Sequence, residues 1–178
     1  MEMTREKAEY LICQRGWLSL MPEDFRVRLL ENALLLKFEA GQFIFRTGAP
    51  AGGIYGLVNG TVIINTAPLD EIPRLIHIAL PGGWTGEDSF LTGSCRRIEV
   101  LAQSETWILH VPIKAMEQMV AANPNDIRAF GMISLQQADS LLRIVHNLQK
   151  RDVSSRIASA LHRMSWSTDA PVTVSQEN

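Results

Sequence analysis

Residues 53–66, Gly53-Ile54-Tyr55-Gly56-Leu57-Val58-Asn59-Gly60-Thr61-Val62-Ile63-Ile64-Asn65-Thr66, decide the fold. Two short runs rich in β-branched and aromatic residues flank the pair Asn59-Gly60, whose residue types tolerate the backbone of a tight turn between strands. The stretch therefore reads as a β-hairpin. Working outward, the same texture repeats in LLLKFE (34–39), QFIFRTG (42–48), RLIHIAL (74–80), IEVLAQ (98–103) and WILHV (107–111). Ala40-Gly41, Gly48-Ala49-Pro50, Pro81-Gly82-Gly83 and Thr92-Gly93 supply turn chemistry between them. Many short strands at even spacing predict a closed or double-layered antiparallel domain of the jelly-roll kind.

On either side of this β region the period changes. Thr4 to about Ala33 is helical, and Pro22-Glu23-Asp24 opens a second helix with its acidic residues where the dipole favours them. After Pro112 a short helix runs over Ile113–Ala122, and Asn123-Pro124 ends it. A long helix is expected from Asn125 to about Arg151, interrupted only by Gly131. Within it Ile127, Gly131, Ser134, Ala138, Leu141, Val145 and Leu148 alternate at four-and-three spacing, the seam of a coiled coil. Phe130, Ile133, Leu142 and Ile144 form a second apolar face. A helix apolar on two sides needs both its own domain and a partner, so a homodimer is expected. Asp152 can cap a further helix, VSSRIASALHRMSW (153–166). The expected organisation is N-terminal helices (1–33), a β-roll (34–124), a dimerisation helix (125–151) and a hinge segment (152–178).

Composition bounds the function. With 178 residues, 46% hydrophobic and 20% charged, the chain is an ordinary globular one, and a net charge of -2 points to neither nucleic acid nor an anionic membrane. Cys13 and Cys95 stand far apart, outside metal-knuckle or disulfide spacing, which fits a reducing cytoplasm. The N-terminus lacks the apolar core of a signal peptide, and no stretch approaches the ~20 apolar residues of a membrane-spanning helix.

In this order and spacing the chain resembles the Crp/Fnr regulators, a bacterial transcription-regulator family. Residues 39–48 (EAGQFIFRTG) resemble the early strand pair of that family's β-roll, and 54–60 (IYGLVNG) its next strand and glycine turn. Gly86-Glu87, followed at the family's distance by Arg97, resembles the phosphate-binding cassette. Asn147-Leu148, Asp152-Val153 and Arg156-Ile157 resemble the exit of the dimer helix and the hinge. The resemblance implies a cyclic nucleotide-binding-like double-stranded β-helix that senses a small-molecule effector. It also implies DNA binding through a C-terminal helix-turn-helix domain of which 172–178 (VTVSQEN) resemble only the entrance.

The candidate effector pocket comprises Gly86, Glu87, Asp88, Ser89, Arg97, Ile98, Leu141 and Leu142. A buried phosphodiester needs a guanidinium and backbone N–H donors, and a ribose hydroxyl wants a carboxylate. Arg97 and Glu87 fit those roles; alternatively they pair with each other inside the roll, since a lone buried charge is costly. By the resemblance, cyclic-AMP binders follow the phosphate arginine with a hydroxyl and then a small residue. Here Ile98 and Glu99 follow Arg97, and Leu141 and Leu142 replace base-contacting hydroxyls. These departures weigh against tight cyclic-AMP binding and leave the effector unknown.

Other chemistries lack their marks. An iron–sulfur sensor needs clustered cysteines, and His77 reads as a strand residue rather than a haem ligand. Cys95 beside Arg96 and Arg97 has the positive surroundings of a redox thiol, although an exposed loop cysteine explains it as well. A cupin-type enzyme needs histidines converging on one metal; His77, His110, His146 and His162 are scattered. No enzyme activity, metal or membrane partner is expected. A kinase regulatory or channel domain and a stand-alone sensor remain as alternatives.

Overall fold

The computed structural model describes residues 3–66 and 74–149, together with the isolated positions 152, 154 and 158. The expected hinge helix after Asp152 lies otherwise outside the described residues. Helix α1 (Arg5–Cys13) starts where Thr4 Oγ1 accepts from the Lys7 backbone at 3.3 Å. A single 3-10 turn (Trp17–Leu20) leads to α2 (Glu23–Glu31), with Glu23 and Asp24 in its first turn. Eight strands follow among the described residues: β1 (Leu34–Phe38), β2 (Phe43–Phe45), β3 (Gly53–Asn59), β4 (Val62–Thr66), β5 (Arg74–Ala79), β6 (Trp84–Thr85), β7 (Glu99–Ala102) and β8 (Thr106–Pro112). A short helix, α3 (Glu87–Thr92), sits between β6 and β7; α4 (Ile113–Ala122) and α5 (Asp126–Leu148) complete the order.

The strands form two four-stranded sheets, β1-β8-β3-β6 and β2-β7-β4-β5. The antiparallel pairs β4·β5, β3·β6, β2·β7 and β1·β8 are nested, each enclosing the last in sequence. The chain doubles back at β4–β5, and the double ribbon then coils so that successive segments fall mostly in alternate sheets. This is the expected double-stranded β-helix.

One expectation fails in detail. Asn59-Gly60 does not close a hairpin: β3 pairs with β6 and β8, whereas β4 pairs with β5 and β7. The turn is instead a corner between sheets. Gly60 has φ 98°, and a Cβ there would lie 2.5 Å from the Glu105 carbonyl oxygen, so the glycine is required by the neighbouring turn between β7 and β8. The strand β6 escapes sequence reading because it has only two residues.

Two compact units divide the chain, Met1–Ser134 and Leu135–Asn178, and the division falls within α5. The first unit holds the core. Trp17 is buried edge-on against Phe25 and Trp84, at ring separations of 5.7 and 5.2 Å, and its Nε1 donates to the Ala129 carbonyl at 2.8 Å. Phe130, fully buried, meets Phe25 at 5.6 Å and Phe90 at 5.4 Å. N-terminal helices, roll, α3 and the start of α5 thus share one core. A smaller cluster of Phe45, Leu57, Val62, Val100 and Ile108 fills the space between the sheets.

Candidate functional site

The site is built where the β2–β3 connection meets the segment before β7. Gly48 N–H donates to the Arg96 carbonyl and Arg96 N–H to the Ala49 carbonyl, both at 2.8 Å. This reciprocal pair fixes the direction of the Arg96 side chain. Along β7, Val100 and Ala102 are buried, and stepping back by two reaches half-buried Ile98 and then Arg96. Alternate side chains share a face within β7, and burial keeps that alternation through the bend at 97–98, so that residues 96, 98, 100 and 102 lie inward and Arg97 lies outward.

Arg96 is accordingly 3% exposed. One terminal nitrogen, Nη1, donates to the Gly86 carbonyl at 2.7 Å, and the other, Nη2, to the Gly53 carbonyl at 2.6 Å. Its guanidinium carbon lies 4.6 Å from the Phe45 ring centre and 5.6 Å from that of Tyr55, a cation held on aromatic surface. Five N–H donors in a fixed fork leave capacity beyond these two carbonyls. Gly86 caps α3 with φ 101°, bringing its carbonyl to Arg96 and starting the helix at Glu87.

Glu87 and Ser89 are buried, at 1% and 0% exposure, and Asp88 between them is half-buried. Ser134 Oγ of α5 donates to Glu87 Oε1 at 2.8 Å. With the Phe90–Phe130 contact, this hydrogen bond joins the cassette helix to the start of α5. Arg97 lies outside: its side chain is 74% exposed and Nε donates to Asp88 Oδ2 at 3.3 Å. The buried cation of the site is therefore Arg96, not Arg97, and the ion pair that forms is Arg97–Asp88 rather than Arg97–Glu87. Glu99 accepts from Asn65 Nδ2 at 3.2 Å, across the β4–β7 ladder. Leu141 and Leu142 fall in the second unit and are 54% and 67% exposed.

Beyond Arg96, the sequence reading missed Gly53, Tyr55, Phe45, His110 and Ser134. Alternation counted back from Val100 points to Arg96, and the tertiary structure keeps it through the bend; the others are brought in by sheet pairing and by the seating of α5. His110 stacks on Tyr55, and its Nε2 lies 3.0 Å from the Gly52 carbonyl. Burial, the largest influence, holds its pKa below 6.5. Burial likewise pushes the Cys13 thiol above its ordinary range, while Cys95 is exposed. Among the described residues no group of three His, Cys, Asp or Glu side chains could hold a metal, and no helix is long and apolar enough to cross a membrane.

Along α5, Ile127, Ala138, Leu141 and Val145 of the expected seam are exposed and Gly131 is half-buried. Ser134 turns instead to Glu87, and the Leu148 side chain lies outside the described residues. Leu135 and Leu142, each 67% exposed, widen the apolar stripe. Of the expected second face, Phe130 and Ile133 are buried in the core, whereas Leu142 is exposed and Ile144 half-buried.

Comparison with known proteins places this geometry. The family model described as "Cyclic nucleotide-binding domain" matches residues 35–123, half of the chain. The cAMP-activated global transcriptional regulator CRP of Pasteurella multocida is 24% identical over 133 residues, 74% of this chain and 64% of that protein. The CRP-like protein Clp of Xanthomonas campestris pv. campestris is 24% identical over 149 residues, 80% of this chain and 65% of its own. The chain thus spans less than two thirds of these relatives' lengths. A solved structure of the c-di-GMP responsive global regulator CLP from Xanthomonas campestris superposes with a TM-score of 0.64 at 22% identity, over 84% of this chain and 75% of that one. The chain belongs to the cyclic nucleotide-binding domain family, and its domain is of the Crp/Fnr kind.

Proposed function

We propose that the chain is the effector-sensing and dimerisation portion of a cytoplasmic Crp/Fnr-type transcription regulator, a binding module rather than an enzyme. The observation that carries this reading is the buried Arg96 guanidinium, held over aromatic rings and bonded to the carbonyl of Gly86, which precedes the buried Glu87. A charge this deep is costly unless it is paired, and two carbonyls alone do not neutralise it. A phosphodiester seated on its remaining N–H groups would. The Glu87 carboxylate then offers an acceptor to a sugar hydroxyl.

Transmission follows from the contacts of α3. Movement of this helix on binding would reach α5 through Glu87–Ser134 and Phe90–Phe130. A second copy of the chain would cover the apolar stripe of α5, and a C-terminal domain would carry the signal to DNA. The effector is a phosphate-bearing molecule of unassigned identity. Arg97 and Ile98 follow Arg96, where the resemblance implies a hydroxyl and a small residue for cyclic AMP, so cyclic AMP is expected to bind weakly. The curated relatives are named for cAMP activation in one case, and the solved relative for c-di-GMP response.

Calorimetric titration with cyclic AMP and cyclic di-GMP tests this. Arg96→Ala should weaken whichever ligand binds by at least about tenfold, the worth of a charge-assisted contact, whereas Arg97→Ala should change it about twofold or less. Loss of affinity in Arg97→Ala alone would reject the assignment.

A further inference from the structure

Gly52 and Gly53 present consecutive carbonyls, and two side chains from separate segments hold them. His110 of β8 takes Gly52 at 3.0 Å, and Arg96 takes Gly53 at 2.6 Å. A carbonyl only accepts, so His110 Nε2 carries its proton and, in the neutral ring, Nδ1 keeps its lone pair. The imidazole lies flat on Tyr55, its partner in the β3–β8 register, with centroids 4.4 Å apart and 9° between planes. Arg96 is on the same tyrosine ring. A Cβ on Gly52 would find the Tyr55 hydroxyl at 3.4 Å and Arg96 Nη2 at 3.6 Å, which shows how closely these groups converge on it.

Among the described residues, these groups face His110. From β3 comes the Tyr55 phenol, from the segment before β7 the Arg96 guanidinium, and across the β1 ladder apolar Leu34. Three influences act on the ring. Burial disfavours its charged form most, the Gly52 carbonyl favours it, and the positive charge of Arg96 opposes it. An anion on Arg96 removes the last of these.

We propose that His110 is a positioning residue for the Arg96 anion site, and that seating a phosphodiester there draws a proton from solvent onto His110 Nδ1. This rests on the reading of Arg96 given above. With the repulsion cancelled, the imidazole pKa in the bound state lies above that in the free state. Affinity therefore rises as pH falls through the bound-state pKa, and levels off below the free-state pKa, which itself lies under 6.5. A merely structural histidine would lower affinity equally at every pH when replaced.

Cyclic AMP suits the test because its phosphodiester keeps a single charge throughout this range. The 178-residue chain is titrated with the nucleotide up to millimolar concentration at about pH 8 and about pH 5.5, in buffers of different ionisation enthalpy. Binding should be ~3- to 10-fold tighter at the lower pH, equivalent to up to about one pKa unit, with net proton uptake. His110→Gln can keep an N–H to Gly52 but cannot titrate, and should give a flat profile. In parallel, NMR of the wild-type imidazole should show its pKa rising on saturation with cyclic AMP. Equal affinity at both pH values, a pH dependence that persists in His110→Gln, or an imidazole pKa unmoved by ligand overturns the inference and leaves the anion site standing. Absence of cyclic AMP binding at both pH values overturns the inference, and absence of cyclic di-GMP binding as well overturns the reading of Arg96. Should His110→Gln fail to fold, the wild-type NMR titration decides alone.

Discussion

At the residue scale, the site depends on a few backbone positions as much as on its charged side chains. Gly53 has φ 115°, and an added Cβ would overlap the Val111 carbonyl oxygen and lie 2.8 Å from the Ile113 nitrogen. Neither strain nor clash can relax without moving β3 away from β8. The carbonyl of this same residue holds Arg96. Gly53→Ala should therefore cost about 3 kcal/mol or more of stability in urea unfolding, and weaken phosphate-ligand binding as well. Stability loss with ligand affinity intact would show that Arg96 is held by other means.

At the element scale, α2 and the start of α5 are clamped by one carboxylate. Asp126 is 4% exposed and accepts from Arg28 Nη2 at 3.0 and 3.2 Å and from Asn123 Nδ2 at 2.8 Å. It stands in the first turn of α5, where a negative charge also suits the helix dipole. Arg28 reaches across to Asp24 as well, which holds the Asp24 carboxyl below its usual range. Because Arg28 is partly exposed, water can replace some of what Asp126 gives it. Asp126→Ala should cost about 2 kcal/mol by denaturant unfolding, with Asp126→Asn costing less because an amide oxygen still accepts. Equal stability of all three proteins would show that the clamp contributes nothing.

At the scale of the whole molecule, the apolar residues of α5 are the surface on which the proposed dimer rests. Leu135, Leu141, Leu142 and Val145 of the second unit are all more than half exposed. Isolated exposed leucines are ordinary, but several on one helix are what the proposed dimer would cover. The chain is expected to sediment as a dimer at tens of micromolar, and Leu135→Arg with Leu142→Arg to sediment as a monomer. The double variant should keep the thermal midpoint of the roll within a few degrees if the stripe only meets a partner. A wild-type monomer at high micromolar concentration would remove dimerisation from the proposed function.

Much of this was legible in the residues. Turn chemistry, short β-rich runs and helical spacing located all the longer elements, because those signals are local: strand and helix periods act over a few residues. Pairing is not local, and the Asn59-Gly60 turn shows the cost. Its residues are those of a hairpin, yet the two strands it joins lie in different sheets, since coiling of the nested ribbon places other strands beside each. The site shows the same division. Period-two alternation counted back from Val100 points Arg96 inward and Arg97 outward, but residues 97–98 form a bend outside β7, and it is the tertiary structure that keeps the alternation there. That Glu87 would meet Ser134, and that His110, Tyr55 and Arg96 would converge on Gly52–Gly53, was not within reach of the sequence. Contacts between residues tens of positions apart are set by how sheets and helices pack around a shared core, and only the tertiary structure decided them.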